Sequence, residues 1–190
     1  GKTMIMKQFR DEHPPSFNTV TGVLTTPVLA MEMTSRPGER RFYAELLTLL
    51  GAPSRPRADI AQMELAAMRI MEAIGVQVLV IDEVHNLLAG SYREQRIVLN
   101  TLRFLSNRLQ ISLVCFGVNE AREAISGDVQ LARRFEQLTL NRWAANEQFE
   151  ALIGSILRNM PLRHPSVLTP NALRRILQIT CLMRGKGLLQ

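Results

Sequence analysis

Two short motifs in the chain contain the residue types that phosphate chemistry needs. The chain begins with Gly1-Lys2-Thr3, which matches the end of the phosphate-binding loop G-x-x-x-x-G-K-[ST]. Further along, the apolar run 78–81 is followed by two carboxylates, Asp82 and Glu83. In such a loop the lysine ammonium contacts the β- and γ-phosphates of a nucleotide, and the Ser or Thr hydroxyl binds Mg²⁺. The order of the two motifs therefore predicts a site for a nucleoside triphosphate.

Each of these residues has an expected role in that site. We expect Gly1, Lys2 and Thr3 to bind the phosphates, and Thr3 to share the Mg²⁺ ion with Asp82 at the end of the second strand. Glu83 follows directly and could orient or deprotonate the attacking water. The alternative is that the first three residues are merely a chain terminus and that the two acids cap a helix.

The loop motif requires residues before Gly1. Its cradle of backbone N–H groups comes from the preceding residues and from the strand that directs them. We therefore expect the numbered chain to lack the first strand and the start of the loop.

Composition narrows the class of protein. The chain has 190 residues, of which 46% are hydrophobic and 21% charged, as expected for one medium domain or one domain with a small appendage. No apolar stretch approaches the ~20 residues of a membrane span, so we expect no membrane partner. Cys115 and Cys181 form no C-x-x-C pair, which fits a reducing, cytoplasmic environment and suggests no cysteine metal site.

Positive charge is concentrated near the end of the chain. Residues 141–190 contain seven basic and two acidic side chains, whereas the preceding residues are nearly balanced. A basic surface there could contact the phosphate backbone of DNA, or it could simply be a solvated helical surface. Six of the seven basic residues are the candidates for this surface: Arg158, Arg163, Arg174, Arg175, Arg184 and Lys186.

The periodicity of apolar residues predicts helices and strands in alternation. A helix should continue from Met4 until His13-Pro14-Pro15 stops it. Strands separated by helices require parallel pairing with crossover connections, so we expect a three-layer α/β sheet. The predicted strands are Val28–Met33, Val76–Ile81, Ile111–Phe116 and a short fourth one, Gln137–Leu140.

Turn and cap residues mark the ends of the intervening helices. One helix should run from about Glu39 and close at Gly51, and the next should end at Gly75. Ser91 and Glu94 have the S-x-x-E spacing of a capping box at the start of a third helix. A further helix should begin near Asn119.

The pattern changes after residue 141. One helix is expected from Asn146, and another should start with Thr169 as N-cap and Pro170 in its first position. We expect a nucleotide-binding core over 1–141 and a small helical lid over 142–190, hinged near Asn141 and Arg142, that senses bound phosphate. The alternative is that the two helices only cover one edge of the sheet.

The motifs in this order resemble those of AAA+ ATPases. More narrowly, four strings of residues resemble the TniB family of transposition ATPases, which are relatives of TnsC. These strings are GKTMIMKQF (1–9), HPP (13–15), ERRFYAELL (39–47) and IDEVHNLLAG (81–90).

This resemblance implies an ATP-dependent DNA-binding regulator that selects target DNA and recruits or activates a transposase. ATP and Mg²⁺ would be its cofactors, and hydrolysis would control its assembly. Its partners would be double-stranded DNA, the transposase and further copies of the chain.

The resemblance also implies roles for three more residues. Asn119 would be the sensor of the γ-phosphate, with Val118 standing where the family more often has a hydroxyl residue. Arg133 or Arg134 would be the finger that reaches the nucleotide of a neighbouring subunit. Either arginine could instead pair with an acid of its own subunit.

Two other functions fit the same motifs. An AAA+ ATPase could act on protein partners in secretion or helicase loading, and a nucleotide-binding interaction module would show no turnover.

His85, two residues after the acidic pair, is expected to be a hydrogen-bonding histidine at the start of a helix.

Overall fold

The chain divides into two compact units, 1–136 and 137–190, in a computed structural model. The structure describes residues 2–52, 57–126, 132–133, 135–140, 143–161, 164 and 167–185.

The first unit alternates helices and strands along the chain. A 3₁₀ helix, Val84–Ala89, follows the fourth strand directly. The other elements are α1 (Lys2–Glu12), β1 (Ser16–Asn18), β2 (Val23–Thr25), β3 (Val28–Glu32), α2 (Glu39–Leu49), α3 (Ile60–Ala73), β4 (Val78–Asp82), α4 (Tyr92–Leu109), β5 (Ser112–Cys115) and α5 (Asn119–Ser126).

Three of these strands form a parallel sheet in the order β3-β4-β5. The register pairs Val28 with Val78 and Val78 with Ser112. Because parallel neighbours need a crossover, the intervening helices α2, α3 and α4 connect the strands. The predicted α/β class with a parallel sheet is therefore confirmed, while the third layer and the lid remain predictions.

One side of the sheet packs into the main hydrophobic core. Successive side chains of a strand point to opposite faces, and it is Leu29, Leu79 and Ile81 that join a core shared with α2, α3 and α4. The core includes Tyr43, which is fully buried and donates a 2.8 Å hydrogen bond to Oε2 of Glu64. Burial, and next the carboxylate of Glu64, raise the pKa of Tyr43, so its hydroxyl stays protonated as a donor.

Asp82 belongs to the other face of the sheet. It is one residue beyond Ile81 in β4, so its side chain points away from the main core together with that of Val80. The residue is nonetheless buried, with a relative exposure of 6%. A buried carboxylate needs polar partners, so the end of β4 is a candidate for a functional site.

Two glycines end helices where the sequence predicted. Gly51 and Gly75 have φ values of 73° and 65°, which glycine adopts without a steric penalty. After α3, the N–H of Gly75 donates to the carbonyl of Glu72, and the N–H of Val76 donates to that of Met71. This bonding satisfies the last carbonyls of the helix and turns the chain into β4.

The predicted capping box is also present. The Ser91 N–H donates to Oε2 of Glu94 at 2.8 Å, and the Glu94 N–H donates back to the Ser91 hydroxyl. The two hydrogen bonds that Ser91 donates lower the pKa of Glu94. They fix the start of α4 directly after the 3₁₀ helix.

The hairpin formed by β1 and β2 was not predicted from the sequence. It is antiparallel, with Ser16 opposite Thr25. The side chain of Asn18 shapes its turn by accepting the N–H groups of Val20 and Thr21 at 2.9 and 3.1 Å. Its strands have only three residues each and are largely exposed, so they carry little of the periodic signal that reveals a strand.

The second unit contains two helices among its described residues. These are α6 (Glu147–Asn159) and α7 (Pro170–Gly185). The side chain of Asn146 accepts the N–H of Phe149 at 3.1 Å, and the hydroxyl of Thr169 accepts that of Ala172 at 3.2 Å. The predicted N-cap Thr169 and the predicted helix start at Asn146 are therefore confirmed.

The predicted fourth strand is wrong. Residues 137–140 are described, and they form neither strand nor helix. Leu138 and Leu140 are 87% and 61% exposed. The alternation of apolar and polar residues is therefore not matched by burial, and a strand signal without a pairing neighbour does not make a strand.

Candidate nucleotide-binding site

The two sequence motifs meet where α1 begins and β4 ends. The Thr3 hydroxyl donates a 3.2 Å hydrogen bond to Oδ2 of Asp82. The other carboxylate oxygen, Oδ1, accepts the backbone N–H of Glu83 at 2.8 Å. Both oxygens of the buried Asp82 carboxylate are thus engaged, one of them by the first turn of α1.

Lys2 reaches the end of the neighbouring strand. Its ammonium nitrogen Nζ donates a 2.7 Å hydrogen bond to the carbonyl of Gly117, which follows β5. The start of α1 is therefore fixed to β4 through Thr3 and to the segment after β5 through Lys2. These two contacts place a hydroxyl, a carboxylate and an ammonium group together at the carboxyl end of the sheet, where open α/β folds bind ligands.

The charge at the start of α1 favours an anion. The N-terminal end of a helix carries partial positive charge from unpaired N–H groups, and an acidic residue in the first turn would offset it. All residues of α1 are described, and its first turn contains no acidic residue. Lys2 adds a further positive charge. A phosphate group would complement both.

Glu83 has an uncommon backbone conformation. Its φ and ψ are 54° and 35°, in the left-handed region that residues other than glycine seldom adopt. It stands between the end of β4 and the 3₁₀ helix without capping that helix through its side chain. The reading of Asp82 and Glu83 as helix-capping residues is not supported, because Asp82 bonds Thr3 and the N–H of the next residue.

The turn that contains Glu83 is held from both neighbouring strands. The N–H of Val84 donates to the carbonyl of Phe116, just after β5, at 2.9 Å. The side-chain amide of Asn86 donates to the carbonyl of Met33, just after β3, at 2.8 Å. Anchors of this kind keep the strained residue in place, and such strain is often found at functional sites.

His85 lies against Glu83. Its ring nitrogen Nδ1 is 3.0 Å from Oε2 of Glu83. Nδ1 is inaccessible to solvent, yet it forms a hydrogen bond with no residue that the structure describes, Glu83 included. The prediction of a histidine near a helix start is confirmed. Its Nδ1 lies within ion-pair distance of the Glu83 carboxylate but forms no hydrogen bond with it.

The remaining candidate residues are less closely connected. Asn119 is the first residue of α5 and is exposed, two residues after the carbonyl that Lys2 contacts. Arg133 is exposed in a turn of the first unit. In the second unit, Arg158, Arg174 and Arg175 are exposed on α6 and α7. Gly1, Arg134, Arg142, Arg163 and Lys186 lie outside the described residues, as does Asn141.

The donor atoms present fit a Mg²⁺ ion that arrives with a nucleotide. Mg²⁺ prefers oxygen ligands and usually takes only one or two from protein, with phosphates and water completing its octahedron. The hydroxyl of Thr3 and the carboxylate of Asp82 are such oxygens, side by side. Among the described residues, no group of three or more His, Cys, Asp or Glu side chains could hold a metal ion on its own.

Comparison with known families agrees with this geometry. The family described as bacterial TniB protein matches residues 1–145. The chain belongs to the TniB family. This is a transposition-related, P-loop NTPase-like family, and the parallel α/β sheet is consistent with such a fold. A search of the curated proteins found no match.

The matched region covers the whole first unit, and with it every contact of the candidate site described above. Most of the second unit, with α6 and α7, lies beyond the match. In the parts of this TniB-family chain that the structure describes, no helix is long and apolar enough to cross a membrane.

Two residues of the site were not found from the sequence. Gly117 supplies the carbonyl for Lys2, and a Cβ atom at this position would lie 2.7 Å from Cγ1 of Val84. Asn86 anchors the turn after β4. A glycine between a strand and a helix start is the one available signal, because it often marks a close approach of two backbone segments.

Proposed function

We propose that this TniB-family protein is an ATPase whose nucleotide state controls its assembly on double-stranded DNA. In this account the DNA-bound protein marks a target and recruits or activates a transposase. The observation that carries the proposal is the 3.2 Å contact between the hydroxyl of Thr3 and the carboxylate of Asp82. It brings the end of a phosphate-loop motif next to an acid at the end of a parallel strand, as ATP-dependent enzymes of this class require.

The residues at the start of α1 would bind the triphosphate. Lys2 would leave the carbonyl of Gly117 for the β- and γ-phosphates, to which its ammonium group is more strongly attracted. Gly1 would contribute its backbone N–H. Thr3 and Asp82 would hold Mg²⁺, which when bound neutralises charge on the phosphates.

Glu83 would act on the attacking water. In the reaction the water oxygen bonds to the γ-phosphorus, the bond from that phosphorus to the bridging oxygen breaks, and its electron pair leaves with ADP. Glu83 would accept the proton that the water loses. Asn119 would hydrogen-bond the γ-phosphate, so that α5 responds to its presence.

Assembly would complete the site. Arg133 is exposed, and Arg134 is adjacent to it in sequence. One of the two would reach the nucleotide bound to a neighbouring copy of the chain, where a guanidinium offsets charge in the transition state. Hydrolysis would then be slow in the free protein and faster in the DNA-bound oligomer.

The second unit would contact the DNA and respond to phosphate as a lid. Arg158, Arg174 and Arg175 are exposed there, in a segment with few acidic residues, and Arg163 adds to the same charge excess. Contacts of this type are sequence-independent, because each guanidinium pairs with a backbone phosphate. Target choice would therefore come from DNA shape or from partner proteins.

The first test of this proposal is ATP hydrolysis by the full-length protein and by Glu83→Gln. The variant removes the proton acceptor and keeps the shape of the side chain, so we expect hydrolysis to fall on the order of a hundred-fold or more, with ATP affinity retained. Glu45→Gln, in an exposed position of α2, is the matched control and should hydrolyse ATP at the wild-type rate. Equal rates for wild type and Glu83→Gln would contradict the assigned role.

The second test is DNA binding in different nucleotide states and at several salt concentrations. We expect binding with ATP or a non-hydrolysable analogue, weaker binding with ADP, and persistent binding by Glu83→Gln with ATP. Replacing Arg174 and Arg175 by Ala should reduce the slope of log K against log salt by ~2, whereas Arg69→Ala, exposed on α3, should not. Hydrolysis without DNA binding would instead favour an ATPase that acts on protein partners.

A further inference from the structure

The side chain of Glu83 has freedom that its proposed role does not allow. Glu83 is fixed at its backbone by the turn that Phe116 and Met33 anchor. Its side chain is 38% exposed, so water can reach the carboxylate. An exposed carboxylate on a flexible two-carbon stem samples several rotamers, and only some of them direct an oxygen at the attacking water. A further contact is needed to select the productive one.

His85 is in the position to make that contact. Nδ1 of His85 is 3.0 Å from Oε2 of Glu83, and it is inaccessible to solvent and without an aligned hydrogen bond to any described residue. A buried polar nitrogen without a partner is costly, so a small rotation of either side chain that aligns the two groups lowers the free energy. Such a hydrogen bond engages Oε2 and leaves Oε1 free.

The backbone around His85 keeps this nitrogen in place. His85 is the second residue of the 3₁₀ helix, directly after Val84. The N–H of Val84 donates to the carbonyl of Phe116, and its side chain lies so close to Gly117 that a Cβ there would be 2.7 Å from Cγ1. The next residue, Asn86, is tied to the end of β3. His85 is thus held between two anchored neighbours, which limits where its ring can lie.

We propose that His85 is a positioning residue that orients the carboxylate of Glu83 through Nδ1. With its proton on Nδ1, the ring donates to Oε2 and fixes the rotamer of Glu83, so that Oε1 faces the water and accepts its proton. His85 itself touches neither ATP nor water in this account. The inference deepens the proposed ATPase function and rests on it.

The test compares three substitutions of His85 in the full-length protein. Asn places its amide nitrogen where Nδ1 lies, Gln places it near the position of the other ring nitrogen, and Ala has no donor. We expect His85→Ala and His85→Gln to lower kcat on the order of ten-fold, with the KM for ATP and its Kd unchanged. His85→Asn should keep kcat within about three-fold of wild type.

Controls separate this inference from a structural effect and from the proposed function. His13→Ala, at the exposed end of α1, should leave kcat unchanged. Adding His85→Ala to Glu83→Gln should lower the residual rate no further, since the two side chains act as one unit. A loss of ATP affinity in all three His85 variants would assign His85 a structural role and overturn the inference.

The remaining outcomes are also decisive. If wild type hydrolyses ATP and Glu83→Gln does not, but His85→Ala matches wild type, the inference fails while the proposed function stands. A kcat for His85→Asn as low as that for His85→Ala would equally contradict a donor role for Nδ1. A wild-type protein without hydrolysis would overturn the proposed function and the inference together.

Discussion

Helices α1 and α2 have the same length but are held in place by different forces. Both contain 11 residues. α2 buries Phe42, Tyr43, Leu46 and Leu47, whereas α1 buries none of its fully described side chains. The hydrogen bonds that join α1 to the sheet come from its first two residues, Lys2 and Thr3, which bond the segment after β5 and the end of β4.

The two helices differ in whether a ligand could change the contacts that hold them. α2 is fixed by removal of apolar surface from water, which no ligand alters. The hydrogen bonds at the start of α1 come from groups that a nucleotide would engage, so binding would replace these contacts. A helix without buried side chains can move at less cost than α2, which would suit a protein that responds to its nucleotide.

We expect the largest effect, a loss of stability, when a buried side chain of α2 is truncated. Leu46→Ala in α2 should lower the free energy of unfolding by about 2–5 kcal/mol, because the side chain is fully buried and leaves a cavity. Ile5→Ala in α1 is the matched change: Ile5 is 45% exposed, so we expect a loss within about 0.5 kcal/mol. Chemical denaturation of both variants measures these values, and similar losses would remove the contrast.

A smaller effect is expected from the polar anchor of α1. Lys2→Ala removes the hydrogen bond to Gly117 and should cost about 1 kcal/mol in the nucleotide-free protein. Because only α1 depends on this contact, its amides should exchange roughly five-fold faster with solvent while those of α2 stay unchanged.

Lys7→Ala is the control for this measurement, since Lys7 is an exposed residue of the same helix. Hydrogen exchange resolved by segment distinguishes the two variants. Faster exchange in α2 on loss of Lys2 would mean that both helices unfold as one cooperative unit. That result would contradict the proposed difference between them.

Much of the first unit could be predicted from its sequence because local signals agreed with packing. Gly51 and Gly75 ended helices, and Ser91 began one, since each of these needs only its neighbours in the chain. The parallel pairing of β3, β4 and β5 followed from strands separated by helices. Residues 137–140 show the limit, because their alternation predicted a strand that no burial supports.

The main residues of the site could be predicted from the sequence, but several of their contacts could not. The spacing of the motifs indicated that Thr3 and Asp82 belong together, and they lie 3.2 Å apart. The carbonyl of Gly117 and the contact of His85 with Glu83 could not be read from the chain. The first joins residues 115 apart in the chain, and the second depends on the left-handed backbone conformation of Glu83, which its residue type does not predict.

The most direct test of the central claim is a double-mutant cycle on ATP binding by Thr3→Ala and Asp82→Ala, with and without Mg²⁺. If the two side chains serve one metal–nucleotide site, each variant should lose roughly ten-fold or more of the Mg²⁺-dependent affinity, and the double variant should lose little beyond either one. Thr21→Ala, in the exposed hairpin turn, should bind as wild type. Losses that simply add, or wild-type affinity that ignores Mg²⁺, would contradict a shared site.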